Sequence, residues 1–343
     1  MSGALNRRRQ ALLALAAAAL LLVAGIAFTL LQSEPTAFRI PPQTLTPRLV
    51  NAPGTVGEIT VTTAESNFRL RRTLEGWALA SHDGYEADSE LAERLLAAII
   101  ALEPLGERTR LASGHERLSL GDPEEGGSAT HIIIRDNNDR ELANLLIGNR
   151  RQDGHVYVRR TSEAQSWLLR GYLPEFSDAT NWMQLEFLSL GRSVIREACI
   201  LPEDGTGYCL QHRPLSGDAF DLVQPEGWNL VSPGAGDGVA TVLARLRFQQ
   251  ILPAQELRGP HIAEHRVTTA SGLEVTLFIH DVNGQYWARI TAVAHSDSAR
   301  PAAIALNDRT DGWAFALSDL AIDRLIRPLD QIAVAATNNP KGN

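Results

Sequence analysis

Glu75-Gly76-Trp77-Ala78-Leu79-Ala80-Ser81 reads against Glu226-Gly227-Trp228-Asn229-Leu230-Val231-Ser232 with five identities in seven positions, and this internal repeat decides the fold. Continued without a gap, Arg94-Leu95 falls on Arg245-Leu246 and Ile100 on Ile251. Both stretches predict a helix: Leu91, Leu95, Leu96, Ile99 and Leu102 make one apolar face, and Val239, Leu243, Leu246, Phe248 and Ile251 a less regular one. Asp88 and Asp237 are the expected N-caps, and Pro253 ends the second helix. After a Gly-rich acidic insertion around Gly121 to Ser128, three strands follow at His131–Arg135, Glu141–Ile147 and Gly154–Arg159. Their counterparts are Arg266–Thr269, Glu274–His280 and Gly284–Arg289, and both third strands carry Gly-x-x-aromatic-x-Arg. Each copy closes on an aromatic strand, around Trp167 or Phe315, that leads into a short helix; Ser318 caps the later one and Pro328 stops it. The expected fold is therefore α+β, a mainly antiparallel sheet packed against a helix, present twice over residues 58–182 and 188–335.

Upstream, residues 33–57 hold Pro35, Pro41, Pro42, Pro47 and Pro53 with Gly54 and Gly57, and read as an extended stalk. Before it, Gln10 to Ser33 carries no charge, long enough for one transmembrane helix over residues 11–32. Arg7, Arg8 and Arg9 form a cytoplasmic basic flank (residues 1–10), which places the body on the far side of the membrane. A cleaved signal peptide is the competing reading, with a shorter apolar core and a small-x-small site as its signature. The chain closes in a polar tail, residues 336–343. The expected location is a membrane, crossed once, with the body outside the cytoplasm.

The full chain of 343 residues carries a net charge of −8, so everything beyond the three arginines sums to −11. That balance excludes a nucleic-acid duplex as partner. Lys341 is the sole lysine, which leaves Schiff-base chemistry, phosphate-loop lysines and Ser-Lys pairs without a candidate in the body. Cys199 and Cys209 flank a turn centred near Asp204-Gly205, so the two face each other across a hairpin. A disulfide suits an oxidising compartment; a pair of buried free thiols is the alternative.

His261-Ile-Ala-Glu264-His265 has the His-x-x-Glu-His spacing of inverted zinc proteases, which requires a helix. Gly259-Pro260 before it and strand residues after it argue for a loop instead, and no metal or cofactor is expected. No Gly-x-Ser-x-Gly, dinucleotide-binding or Walker pattern occurs in the sequence. Candidates for a partner surface are Arg69, Arg71, Arg159 and Arg289 with the paired Trp77 and Trp228. Against them stand two plainer readings, a solvated arginine face with local ion pairs and tryptophans that seal the helix on its sheet.

The anchor, Trp77-x-Leu79 before a capped helix, Leu118-Ser-Leu-Gly-Asp-Pro123, Leu146-Ile-Gly148 and Tyr157-Val-Arg-Arg160 together resemble the bacterial envelope family catalogued as domain of unknown function 4340. The resemblance covers two tandem copies, and the second diverges by lacking the Leu-Gly-Asp-Pro loop. It implies an uncharacterised accessory encoded beside an ABC-type export system, with a protein partner in a membrane transport complex and no functional residues to carry over. The expectation is thus a non-enzymatic binding or assembly component. The rival is a periplasmic hydrolase acting on an envelope polymer in a groove between the repeats.

Overall fold

The computed structural model describes residues 44–213 and 218–336. The expected cytoplasmic flank, the membrane span 11–32, the first part of the stalk and the tail from residue 337 lie outside the described residues. Among the described residues no helix is long and apolar enough to cross a membrane. The architecture is α+β, with mostly antiparallel sheets and few helices.

In chain order the first half supplies α1 (Pro47–Asn51), β1 (Val56–Thr62), β2 (Asn67–Arg72), β3 (Trp77–Leu79), β4 (Tyr85–Glu86), α2 (Ser89–Ile100), β5 (Glu103–Glu107), α3 (Ala112–Arg117), β6 (Thr130–Asp136), β7 (Glu141–Arg150), β8 (His155–Arg160) and β9 (Ser166–Arg170). The second half supplies β10 (Ile195–Pro202), β11 (Tyr208–Arg213), β12 (Ala219–Gln224), β13 (Trp228–Leu230), α4 (Asp237–Ala240), β14 (Ile251–Pro253), β15 (His261–Thr269), β16 (Leu273–Val282), β17 (Gln285–Ala294), α5 (Arg300–Thr310), β18 (Trp313–Ala316), α6 (Asp319–Leu325) and β19 (Ala333–Ala335).

The chain divides into two compact units whose limits cut across this sequence order. One contains residues 44–56, 62–64 and 96–173, with strands in the order β6-β7-β8-β9-β5. Here α1 departs from the expected stalk. Leu49 is fully buried and Leu45 nearly so, and Arg160 of β8 donates to the Leu45 and Thr44 carbonyls. Proline at the first helical position allows a helical turn where a Pro-rich count suggested extended chain. In the same unit the Leu118–Pro123 loop lies against the end of β7: Asn149 N donates to Leu118 O at 2.9 Å, and a Cβ on Gly148 would stand 2.2 Å from that carbonyl oxygen. Only glycine permits this approach.

The other unit contains residues 57–61, 65–95 and 174–336. It holds the run β4-β3-β2-β1, the eight-stranded sheet β12-β11-β10-β15-β16-β17-β18-β14 and the ribbon β13-β19. The order β3-β2-β1 matches β12-β11-β10, and β6-β7-β8-β9-β5 matches β15-β16-β17-β18-β14. Asn283 and Gly284 both have positive φ, giving the tight mirror-image turn that joins β16 to β17 in register from Val282↔Gln285 to Leu273↔Ala294.

Helix α2 forms as its sequence predicts. Asp88 caps it by accepting from Leu91 N at 2.9 Å, and Ala92, Leu95, Leu96 and Ile99 are buried. The second expected helix does not form. It stops after α4, continues as a 3-10 turn over Val242–Arg245 and is already strand at Ile251. Asp237 does not cap it, because its carboxylate is held by Arg192 Nη2 at 2.5 Å and by Phe220 N at 3.2 Å. Gly238 adds a cost of about 1 kcal/mol within the first turn. Val239, Leu243, Leu246 and Phe248 are nonetheless buried, so the apolar positions reflect a core segment of broken backbone. Helix α5 takes the covering role instead, packing on β17 and β16. After β9 the expected short helix is replaced by a 3-10 turn at Ala179–Trp182.

Candidate functional site

The Glu75-Gly-Trp motif sits at the turn between β2 and β3. Gly76 has φ +146°, and a Cβ there would stand 2.4 Å from Ser89 Oγ. That closeness lets Ser89, the first residue of α2, accept from Trp77 N at 2.9 Å. The Trp77 indole turns inward and is 2% exposed. Its Nε1 donates to Glu93 Oε1 at 2.9 Å, the same oxygen takes Arg72 Nη2 at 2.7 Å, and the Arg72 guanidinium lies 4.6 Å over the ring. Trp77, expected at a partner surface, is therefore a core residue locked by an arginine lid.

The outer side of the same turn lines an open groove of about 800 Å³, whose opposite wall is α5 and the start of β18. Arg309 reaches across it with a two-pronged ion pair to Glu86, Nε to Oε2 at 2.7 Å and Nη2 to Oε1 at 2.8 Å. Tyr85 packs edge-on against Trp313 with ring centroids 5.2 Å apart, and its hydroxyl donates to Gln184 O at 2.8 Å. Burial first, and then the Glu86 charge, push the Tyr85 phenol above its ordinary value, so it remains a protonated donor. Leu74 at the turn is fully exposed, an apolar side chain at the edge of a charged and aromatic groove. Among the described residues the lining holds the carboxylates of Glu75, Glu86 and Asp308 and the Thr73 hydroxyl, but no His, Cys or Lys.

The other expected surface residues are scattered. Arg69 and Arg71 are exposed on β2, and Arg71 pairs with Glu58 at 3.1 Å. Arg289 is exposed on β17 and lines a small hollow with Asp311 and Trp313. Arg159 belongs to the other unit, where it is half-buried and donates to the Glu163 carbonyl at 3.1 Å. Trp228, the counterpart of Trp77 in the sequence motif, is half-buried in β13 rather than on β12, the strand whose place corresponds to β3, and it lines a second cavity of about 480 Å³ with Tyr208, Ile262, Ile326 and Pro328. Gly227 has open space where a Cβ would go, so it serves only its turn, at φ +80°. Cys199 and Cys209 are disulfide-bonded, directly opposite in the β10–β11 register.

His261 and His265 lie on strand β15. Four residues along a strand span about 13 Å, too far for one cation to bridge. His265 is fully buried with Nδ1 donating to Leu325 O at 3.0 Å, and burial pushes it down to about 4. Among the described residues no group of three or more His, Cys, Asp or Glu side chains is placed to hold a metal ion.

The sequence missed Arg309, Trp313 and Leu74. Helix α5 carries weak periodicity, and its readable signals were Pro301 at the helix start and the Ser296 side chain accepting from Ala299 N just before it.

No curated protein and no solved structure matches the chain. A family model matches residues 77–261 in one continuous stretch, from the first motif tryptophan through the Leu118–Pro123 loop and the disulfide hairpin to the start of β15. That match takes in more than half of the sequence, and the chain belongs to the family described as Domain of unknown function (DUF4340).

Proposed function

We propose that this protein is a membrane-anchored extracytoplasmic binding or assembly accessory of an envelope ABC-type transport system, without catalysis of its own. In this reading residues 11–32 hold it in a bacterial inner membrane with the N-terminus cytoplasmic, and the body is two tandem copies of the family unit, the second divergent. The matching strand orders support the duplication. The uncharged run from Gln10 to Ser33 supports the anchor, and a bonded Cys199–Cys209 pair suits an oxidising compartment.

The observation that carries the binding role is the groove beside the Glu75-Gly-Trp turn. Arg309 and Glu86 are paired with one another across it, while Leu74 projects fully exposed. A groove that holds an exposed leucine on one wall and Arg309 with Trp313 on the other has the composition of a contact surface, where aromatic residues and arginine dominate binding energy.

The test is a photo-crosslinking residue at position 74 of the full chain in intact membranes. Recovery of an integral component of a transport complex is expected; recovery of soluble envelope proteins alone would count against the reading. Turnover of an envelope glycan, peptide or phosphoester by the purified chain, abolished by changing Glu75 or Asp308, would replace it with the hydrolase.

A further inference from the structure

We infer that His261 and His280 form a two-histidine site for a borderline divalent transition cation, with copper(II) bound most tightly. The two are cross-strand partners on β15 and β16, and their rings meet at 65° with centroids 5.5 Å apart. Two imidazole nitrogens about 2.0–2.1 Å from one cation put the ring centroids about 4.5 Å apart at adjacent square-planar positions and about 5 Å apart at a tetrahedral angle. The observed spacing therefore needs only a small adjustment to close on a metal.

The surroundings fix which nitrogen is offered. His261 Nδ1 lies 2.5 Å from Glu203 Oε1, and His280 Nδ1 lies 3.1 Å from the Gly259 carbonyl oxygen. Both partners only accept, so both Nδ1 atoms carry the proton and both Nε2 atoms present a lone pair. One carboxylate and one backbone carbonyl behind two imidazoles is the outer-shell arrangement that orients metal-ligating histidines and raises their basicity. His261 Nε2 is buried and has no hydrogen-bond partner among the described residues. An orphaned buried lone pair carries a desolvation cost that a cation would relieve. With imidazole donors alone from the protein, copper(II) stands highest in the divalent series, and water completes the coordination.

The site is distinct from the His-x-x-Glu-His reading: the first histidine of that motif finds its partner across the sheet, and the second points into the core. Titration of the full chain with copper(II) is expected to show one saturable site, with two nitrogen ligands in its electron paramagnetic resonance spectrum. His261→Gln and His280→Gln should each weaken binding at least tenfold, Glu203→Gln about tenfold through loss of the outer-shell carboxylate, and His295→Gln, at an exposed histidine elsewhere, not at all. Absence of saturable binding, equal affinity in the His261→Gln/His280→Gln double variant, or a wild-type spectrum with fewer than two nitrogen ligands would each overturn the site. The spectrum is read on the unaltered protein, so it decides the matter even where a variant fails to fold.

Discussion

Gly76 and Gly227 occupy the same place in two copies of one motif, yet they carry different constraints. At Gly76 a side chain meets Ser89 Oγ in addition to adopting an unfavourable φ, whereas at Gly227 only the backbone objects. Gly76→Ala should therefore cost about 2–3 kcal/mol in denaturant unfolding and Gly227→Ala about 1 kcal/mol. Equal costs would show that the Ser89 contact contributes nothing. His265 makes a second prediction at this scale. Its folded value of about 4 lies below the ordinary value near 6.5, so the unfolded chain binds more protons between those limits. Its contribution is complete above about pH 6.5 and is lost as pH falls toward 4, a loss of about 3 kcal/mol by linkage. Replacing it, as in His265→Leu, should flatten that part of the stability–pH curve.

At the scale of elements, the β10–β11 hairpin is closed by a disulfide spanning ten residues. Loop-closure entropy for that span predicts a stabilisation of about 2–3 kcal/mol, which reduction or Cys199→Ser/Cys209→Ser should remove as a shift in denaturant midpoint. This hairpin was legible because Asp204-Gly205 marks its turn and the cysteines sit symmetrically about it. The strands of both halves of the chain were legible for a related reason, since alternation and turn residues are local. The second helix was not. Its apolar positions are buried as a helix would bury them, but what breaks the backbone is the capture of Asp237 by Arg192 and Phe220, two contacts from distant sequence. Nor was the covering helix α5, whose apolar residues are mostly alanines with little contrast between faces.

For the whole molecule, the candidate groove depends on a juxtaposition that no local pattern announces: a turn from the first motif and a helix more than 200 residues later, joined by Arg309 and Glu86. Of the expected surface arginines, Arg69 and Arg71 share β2, whereas Arg159 lies on β8 and Arg289 on β17, so they do not form one cluster in sequence order. The groove yields a prediction that separates recognition from stability. Leu74→Asp changes a fully exposed side chain and should shift unfolding by no more than about 0.5 kcal/mol. The same change should sharply reduce crosslinking to the proposed transport partner from a probe placed beside it at Glu75. Arg309→Ala removes an ion pair worth at most about 1 kcal/mol at this exposure, and it should diminish partner capture far more than stability.

The ribbon of β13 with β19 has a bearing on synthesis. Trp228 pairs with Ala335, so the strand carrying the second motif waits for about a hundred further residues to leave the ribosome before it has a neighbour. Strand β14 waits likewise for β18, which lies beyond α5. A nascent chain interrupted before residue 333 holds most of the eight-stranded sheet but leaves the Trp228 strand bare. The last described strand thus closes the ribbon late: a chain that has it can seal the segment around Trp228, and a chain that lacks it leaves the β13 edge unpaired.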